Sequence, residues 1–78
     1  MPVFRGVITD IKNGDVDFNI HYKAEDEPVA MACVDVKKTG TAQTDFIAAS
    51  VGKQIEVTTD SRNEVRKITI ANTLVLSH

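Results

Sequence analysis

The sequence predicts a mainly β fold with one short helix: a five-stranded barrel in the order strand, strand, strand, helix, strand, strand. Three observations predict it. Alternating or continuously apolar runs recur at 3–12, 15–22, 29–37, 53–59 and 64–71, the lengths of ordinary strands. One segment, 42–51, groups its apolar residues at helical spacing between Gly40 and Gly52. The connections are short and rich in turn residues. With 78 residues in all, the chain has room for a single domain, 1–78.

Residues 3–12 and 15–22 read as a hairpin about Asn13-Gly14. Asn-Gly suits a type I′ turn, whose two central residues take positive φ and whose twist matches the strands. A two-residue loop sets Val7 opposite Ile20, Thr9 opposite Phe18 and Ile11 opposite Val16, all on one face. In the second strand Val16, Phe18, Ile20 and Tyr22 alternate with Asp15, Asp17, Asn19 and His21. The acidic stretch 23–28 (KAEDEP) forms a loop ended by Pro28. The third strand, 29–37 (VAMACVDVK), is apolar on both parities up to Val34. Both of its faces therefore call for cover, by the helix, the tail or another subunit.

The helix 42–51 (AQTDFIAASV) places Ala42, Phe46, Ile47, Ala49 and Val51 on one side. Thr41 or Thr44 is expected to cap its start, and Gly52 suits the position past its end. In the last hairpin Ile55, Val57 and Thr59 share a face, as do Ile68 and Ile70. Val65 falls on the other parity, which predicts a bulge near the turn. The tail from Thr73 to His78 is apolar enough to dock or to extend the last strand.

The opening FRGVITDIKNGDVDFNI, with a glycine in its first strand and a tight Asn-Gly turn, resembles first hairpins of the OB-fold (oligonucleotide/oligosaccharide-binding) class. The stretch VGKQIEVTTDSRNEVRKITI is similar to its closing hairpin. The resemblance covers most of the chain as topology and pattern. It implies a five-stranded OB-like barrel that binds along strands two and three, between the loops joining strands one–two and four–five. An open α+β sheet with the helix packed on one face is the alternative.

Composition narrows the function. Hydrophobic residues make up 42% and charged residues 26%, the balance of a folded domain. The start, MPVFRGVITD, has neither the basic n-region nor the apolar stretch of a leader. The longest apolar run, Val29 to Val34, is too short to span a bilayer. With Cys33 as the single thiol, a cytoplasmic protein without membrane association is expected. The net charge of −2 divides into an acidic first half and a mildly basic second half. Dedicated nucleic-acid binders show a clearer basic excess.

No catalytic, cofactor-binding or metal-binding residue is assigned, so the chain is expected to bind rather than catalyse. Asp10, Asp15 and Asp17 crowd the first hairpin, with Asp10 opposite Asp17, but two strands supply few ligands for a cation and Lys12 offsets the repulsion. His21 has acidic neighbours but no serine nearby, and Cys33 reads as a small buried hydrophobe with a protonated thiol. By fold analogy the expected activity is single-stranded nucleic-acid binding through Lys12, Lys37, Lys38, Arg62, Arg66 and Lys67. The alternative is a protein–protein or homo-oligomeric assembly module. It rests on an apolar surplus: Phe4 and Ile8 lie on the parity opposite Val7 and Ile11, and the third strand has more apolar side chains than one face can bury. Phe4, Ile8, Asn19, His21 and Met31 are the expected contact.

Overall fold

The computed structural model describes residues 2–25 and 31–78. Its elements are β1 (Val3–Asn13), β2 (Asp17–Ala24), β3 (Met31–Lys37), α1 (Thr41–Ala48), β4 (Gln54–Thr59), β5 (Val65–Ile70) and β6 (Thr73–Ser77). Every pairing is antiparallel, and the strands lie in the order β3-β2-β1-β4-β5-β6. The sheet curls into a half-barrel. A mainly β fold with one helix thus stands, and the tail supplies a sixth strand beyond the five expected. Residues 26–30, which hold half of the acidic loop and the expected start of the third strand, lie outside the described residues.

The first hairpin departs from the expected register. Asn13 pairs with Phe18, Ile11 with Ile20 and Asp10 with His21, so the loop is four residues, 14–17, rather than two. Neither Asn13 nor Gly14 takes positive φ, and the type I′ turn is absent. The Gly14 N–H donates instead to the Asp17 carbonyl at 2.9 Å. The Lys38 ammonium donates to the Gly14 carbonyl and lies 5.2 Å from the Phe18 ring centroid. Val16 is left 72% exposed in the loop.

A bulge between Ile8 and Asp10 explains the rest. It inserts Thr9 as an extra residue, so the inward parity changes along β1. Ile8 is buried and Ile11 half-buried against the core, while Val7 faces out. The expected outward Ile8 is therefore corrected: at 1% exposure it belongs to the core. Register follows the burial of the whole inner face, and one turn preference does not outweigh it.

Strand β1 holds the sheet together by pairing with β2 on one side and β4 on the other. Gly6 pairs with both Ala24 and Ile55. A β-carbon there would lie 2.2 Å from the Lys23 carbonyl oxygen, so only glycine lets the two backbones approach this closely.

The helix is shorter than expected and buries less. Gly40 is its N-cap and no side chain caps it directly. Instead the Thr39 N–H and hydroxyl both donate to the Gln43 Oε1 at 2.8 Å, and the Thr44 hydroxyl donates to the Gly40 carbonyl. Ile47 enters the core and Phe46 packs against it. Ala42, Ala49 and Val51 are exposed, contrary to the expected apolar side. After the helix, Gly52 at φ 88° donates to the Ile8 carbonyl, and Ile8 donates to Lys53. These bonds tie the helix exit to β1.

The expected bulge near Val65 is present. Pairing passes from Thr58–Lys67 to Thr59–Val65, which leaves Arg66 as the extra residue and turns Val65 toward the core. Strand β6 returns from β5 through a two-residue loop, Ala71-Asn72, with φ 50° and 65°. These are the positive φ values that a type I′ hairpin requires.

Candidate binding cleft at the open seam

Strands β3 and β6 end the sheet and are not paired with each other. Two clefts adjoin these edges; the first lies on the concave side of β3, and the second spans from β3 to β6. The first, about 260 Å³, sets Ala32 and Val34 of β3 against Thr59 of β4 and Val65 of β5, with Phe4 and Tyr22 as aromatic walls. The second, about 500 Å³, sets Asp35 and Lys37 of β3 against Gln43 of α1 and Val75, Leu76 and His78. Met31 and Leu74, on the two edge strands, are 63% and 58% exposed. Among the described residues no strand pairs with the outer edge of β3.

The chemistry of the first cleft is neutral, since no charged side chain lines it. Thr59 is 4% exposed, and its hydroxyl has no hydrogen-bond partner among the described residues. Burial, and secondarily Cys33, pushes the Tyr22 phenol above its ordinary pKa, so this wall is uncharged at physiological pH. Asn63, at φ 64°, sits at the rim.

The adjoining β4–β5 turn is built around Asp60. Its Oδ1 accepts the Arg62 and Glu64 N–H groups at 2.8 and 3.0 Å, and its Oδ2 accepts the Arg66 Nε at 2.8 Å. The Glu64 N–H, with help from Arg66 and the Arg62 N–H, holds this carboxyl below the ordinary aspartate value.

The six cations expected to touch nucleic acid fall into two groups. Lys12, Lys37 and Lys38 lie near the β1–β2 loop, since Asp17 pairs with Lys37 and Lys12 with Asn19. Arg62, Arg66 and Lys67 lie at or beside the β4–β5 turn, next to the β1 start, where Val3 pairs with Thr58. The two groups therefore meet opposite ends of β1. Lys38 is committed to Gly14 and Phe18, and Arg66 is paired with Asp60 and Glu64. Lys12, Lys37, Arg62 and Lys67 are exposed.

The residues expected at a protein contact also separate. Phe4 lines the first cleft, Ile8 is buried, and Met31 is exposed on β3. Asn19 and His21 are half-buried on the outer face of β2. There the Asn19 amide donates to Asp35 at 2.8 Å, and the Cys33 thiol donates to the Asn19 carbonyl at 2.9 Å. Cys33 is exposed, which corrects the expected buried position; the parity of β3 sends Ala32, Val34 and Val36 inward instead.

The four-residue loop also makes a row that sequence reasoning missed, Asp10, His21 and Cys33 across β1, β2 and β3. Asp10 consequently faces His21 rather than Asp17. The row is not a nucleophilic arrangement. The Cys33 thiol is directed to Asn19, and desolvation, with Asp35 beside it, raises its pKa and keeps it protonated. The Asp10 carboxylate is engaged by the Ile11 N–H at 2.9 Å. Among the described residues no cluster of His, Cys, Asp or Glu has metal-binding geometry, and no helix is long and apolar enough to cross a membrane.

No protein-family model matches the chain, nor does any curated protein or solved structure.

Proposed function

We propose that the chain is a non-enzymatic binding module that takes an extended protein segment along its open seam. The carrying observation is the outer edge of β3, unpaired among the described residues, with one neutral cleft on its concave side and a second cleft between it and the other terminal strand, β6. An edge strand presents unused backbone donors and acceptors, and recognition by strand addition uses them for affinity. Alternate side chains of the added strand then fall on the concave side beside Ala32 and Val34, where they gain burial. The segment comes from another protein or from a second copy of this chain.

The OB-like reading supports a binding role, because the first five strands and the helix keep the order of that class. Oligonucleotide binding, its usual consequence, has less support. The outer face of β2 and β3 interleaves Lys37 with Asp17 and Asp35, and among the described residues it exposes no Phe, Tyr or Trp ring for base stacking.

Selection from a library of displayed peptides, followed by amide chemical-shift mapping of a selected peptide, tests the proposal. Perturbations along Met31–Lys37 and Thr73–Ser77 are expected, and light scattering then separates a foreign segment from self-association. Failure to select any peptide, together with a monomeric chain at high concentration, refutes it. Salt-dependent binding of single-stranded DNA that is lost in Lys12→Glu and Arg62→Glu would move the function to nucleic acid.

A further inference from the structure

We propose that Asn13 is a site of spontaneous chemical modification and that the loop 14–17 controls its rate. Asn13-Gly14 does not form the tight turn its sequence favours, so the dipeptide is left with its chemistry. Asparagine is a thermolabile residue, because the backbone nitrogen of the next residue can attack its side-chain amide. Glycine offers that nitrogen with no β-carbon in front of it, and both Asn13 and Gly14 are exposed. Asn63 and Asn72 are exposed as well, but Glu64 and Thr73 follow them and shield the nitrogen with a side chain.

Water is the only co-reactant. The Gly14 nitrogen bonds to the Asn13 Cγ, the bond from Cγ to Nδ2 breaks, and the Gly14 amide proton leaves with that nitrogen as ammonia. Water then opens the cyclic imide. Addition at the side-chain carbonyl gives aspartate; addition at the main-chain carbonyl gives isoaspartate, whose backbone runs through the Asn13 β-carbon. The fold opposes the first step. The Gly14 N–H donates to the Asp17 carbonyl at 2.9 Å, and this bond must break before the nitrogen loses its proton. Ring closure also eclipses the Asn13 β-carbon with the Gly14 nitrogen. That rotation lies outside the extended backbone Asn13 holds as the last residue of β1, paired with Phe18. Lys38 anchors the loop from β3: its ammonium donates to the Gly14 carbonyl and its N–H to the Val16 carbonyl at 3.0 Å. Modification therefore proceeds from the opened loop. Isoaspartate cannot restore the closed one, because it displaces the register opposite Phe18, a buried core residue. The hairpin carries a one-way switch.

The test incubates the full chain in mildly alkaline buffer, with and without urea, and follows aspartate and isoaspartate by chromatography and mass spectrometry of its peptides. In urea Asn13 should convert faster than Asn19, Asn63 and Asn72. In the native chain its rate should fall about thirtyfold, the value of two net hydrogen bonds, and the Gly14 amide should be protected from hydrogen exchange by a similar factor. Lys38→Met keeps an apolar stem over Phe18 but removes the ammonium. It should raise the native rate about fivefold, the value of one net hydrogen bond, and leave the rate in urea unchanged. The isolated isoaspartyl chain should unfold at lower urea than the parent. Slow conversion of Asn13 in urea overturns the site. Equal rates with and without urea, or an unprotected Gly14 amide, overturn control by the loop; the exchange measurement needs no variant. An unchanged native rate in a folded Lys38→Met chain overturns the anchoring role of Lys38, and an unchanged urea midpoint for the isoaspartyl chain overturns the one-way switch.

Discussion

Replacing Gly6 by alanine probes a close backbone approach in the sheet. The added β-carbon would meet the Lys23 carbonyl oxygen at 2.2 Å, the Lys23 carbonyl carbon at 2.8 Å and the Tyr22 ring at 3.0 Å. Ordinary contact begins near 3.4 Å, so β1 and β2 must part by roughly 1 Å. The nearest obstacles are backbone atoms, and no side-chain rotation relieves them. Overpacking of this type costs about 1–3 kcal/mol. Parting the strands also weakens the Arg5–Glu25 bond, 2.8 Å long, and its ladder neighbours, at about 1 kcal/mol each. The stiffer unfolded chain returns about 0.4–1 kcal/mol. The net loss is about 2–3 kcal/mol, a large share of the roughly 4–12 kcal/mol expected for a domain of this size. In urea, with a slope of about 1 kcal/mol/M, the midpoint should fall by about 2 M or more. Gly40→Ala is the control, since nothing lies within 4 Å of its β-carbon and its φ of 178° is extended backbone. A midpoint for Gly6→Ala equal to that of Gly40→Ala would refute the reasoning.

Two further substitutions test the turns. Ala71 is held at φ 50°, which costs an L-residue about 1 kcal/mol. Ala71→Gly should therefore raise the thermal midpoint by a few degrees even though glycine loosens the unfolded chain; a fall would show that the β5–β6 loop is not under strain. Asp60→Asn should flatten the acid limb of stability. A carboxyl with a depressed pKa in the fold stabilises above its unfolded value of about 3.9 and loses that contribution as pH falls through the folded value. The parent should thus lose stability below about pH 4 more steeply than the variant, and parallel acid limbs would remove Asp60 as the organiser of the turn.

The sequence by itself determined the strands β1 to β5, the single helix and the inward set Phe18, Ile20 and Tyr22, because these depend on local periodicity and on glycine at the breaks. It also located the bulge at Val65, where one apolar residue stands on the wrong parity. Pairing was decided elsewhere. Asn13-Gly14 favours a two-residue turn, but a single turn contributes little beside the burial of an entire inner face. The chain therefore shifts to a four-residue loop and absorbs the difference as a bulge at Thr9. That shift sent Ile8 into the core and aligned Asp10, His21 and Cys33. The tail became β6 through Ala71-Asn72, a turn hidden because alanine does not advertise positive φ. The candidate cleft was the least legible feature. Phe4, Tyr22, Ala32, Thr59 and Val65 belong to five different strands, and no local pattern relates them. Only the curl of the sheet brings them together, and only packing in three dimensions buries the Thr59 hydroxyl without a partner among the described residues.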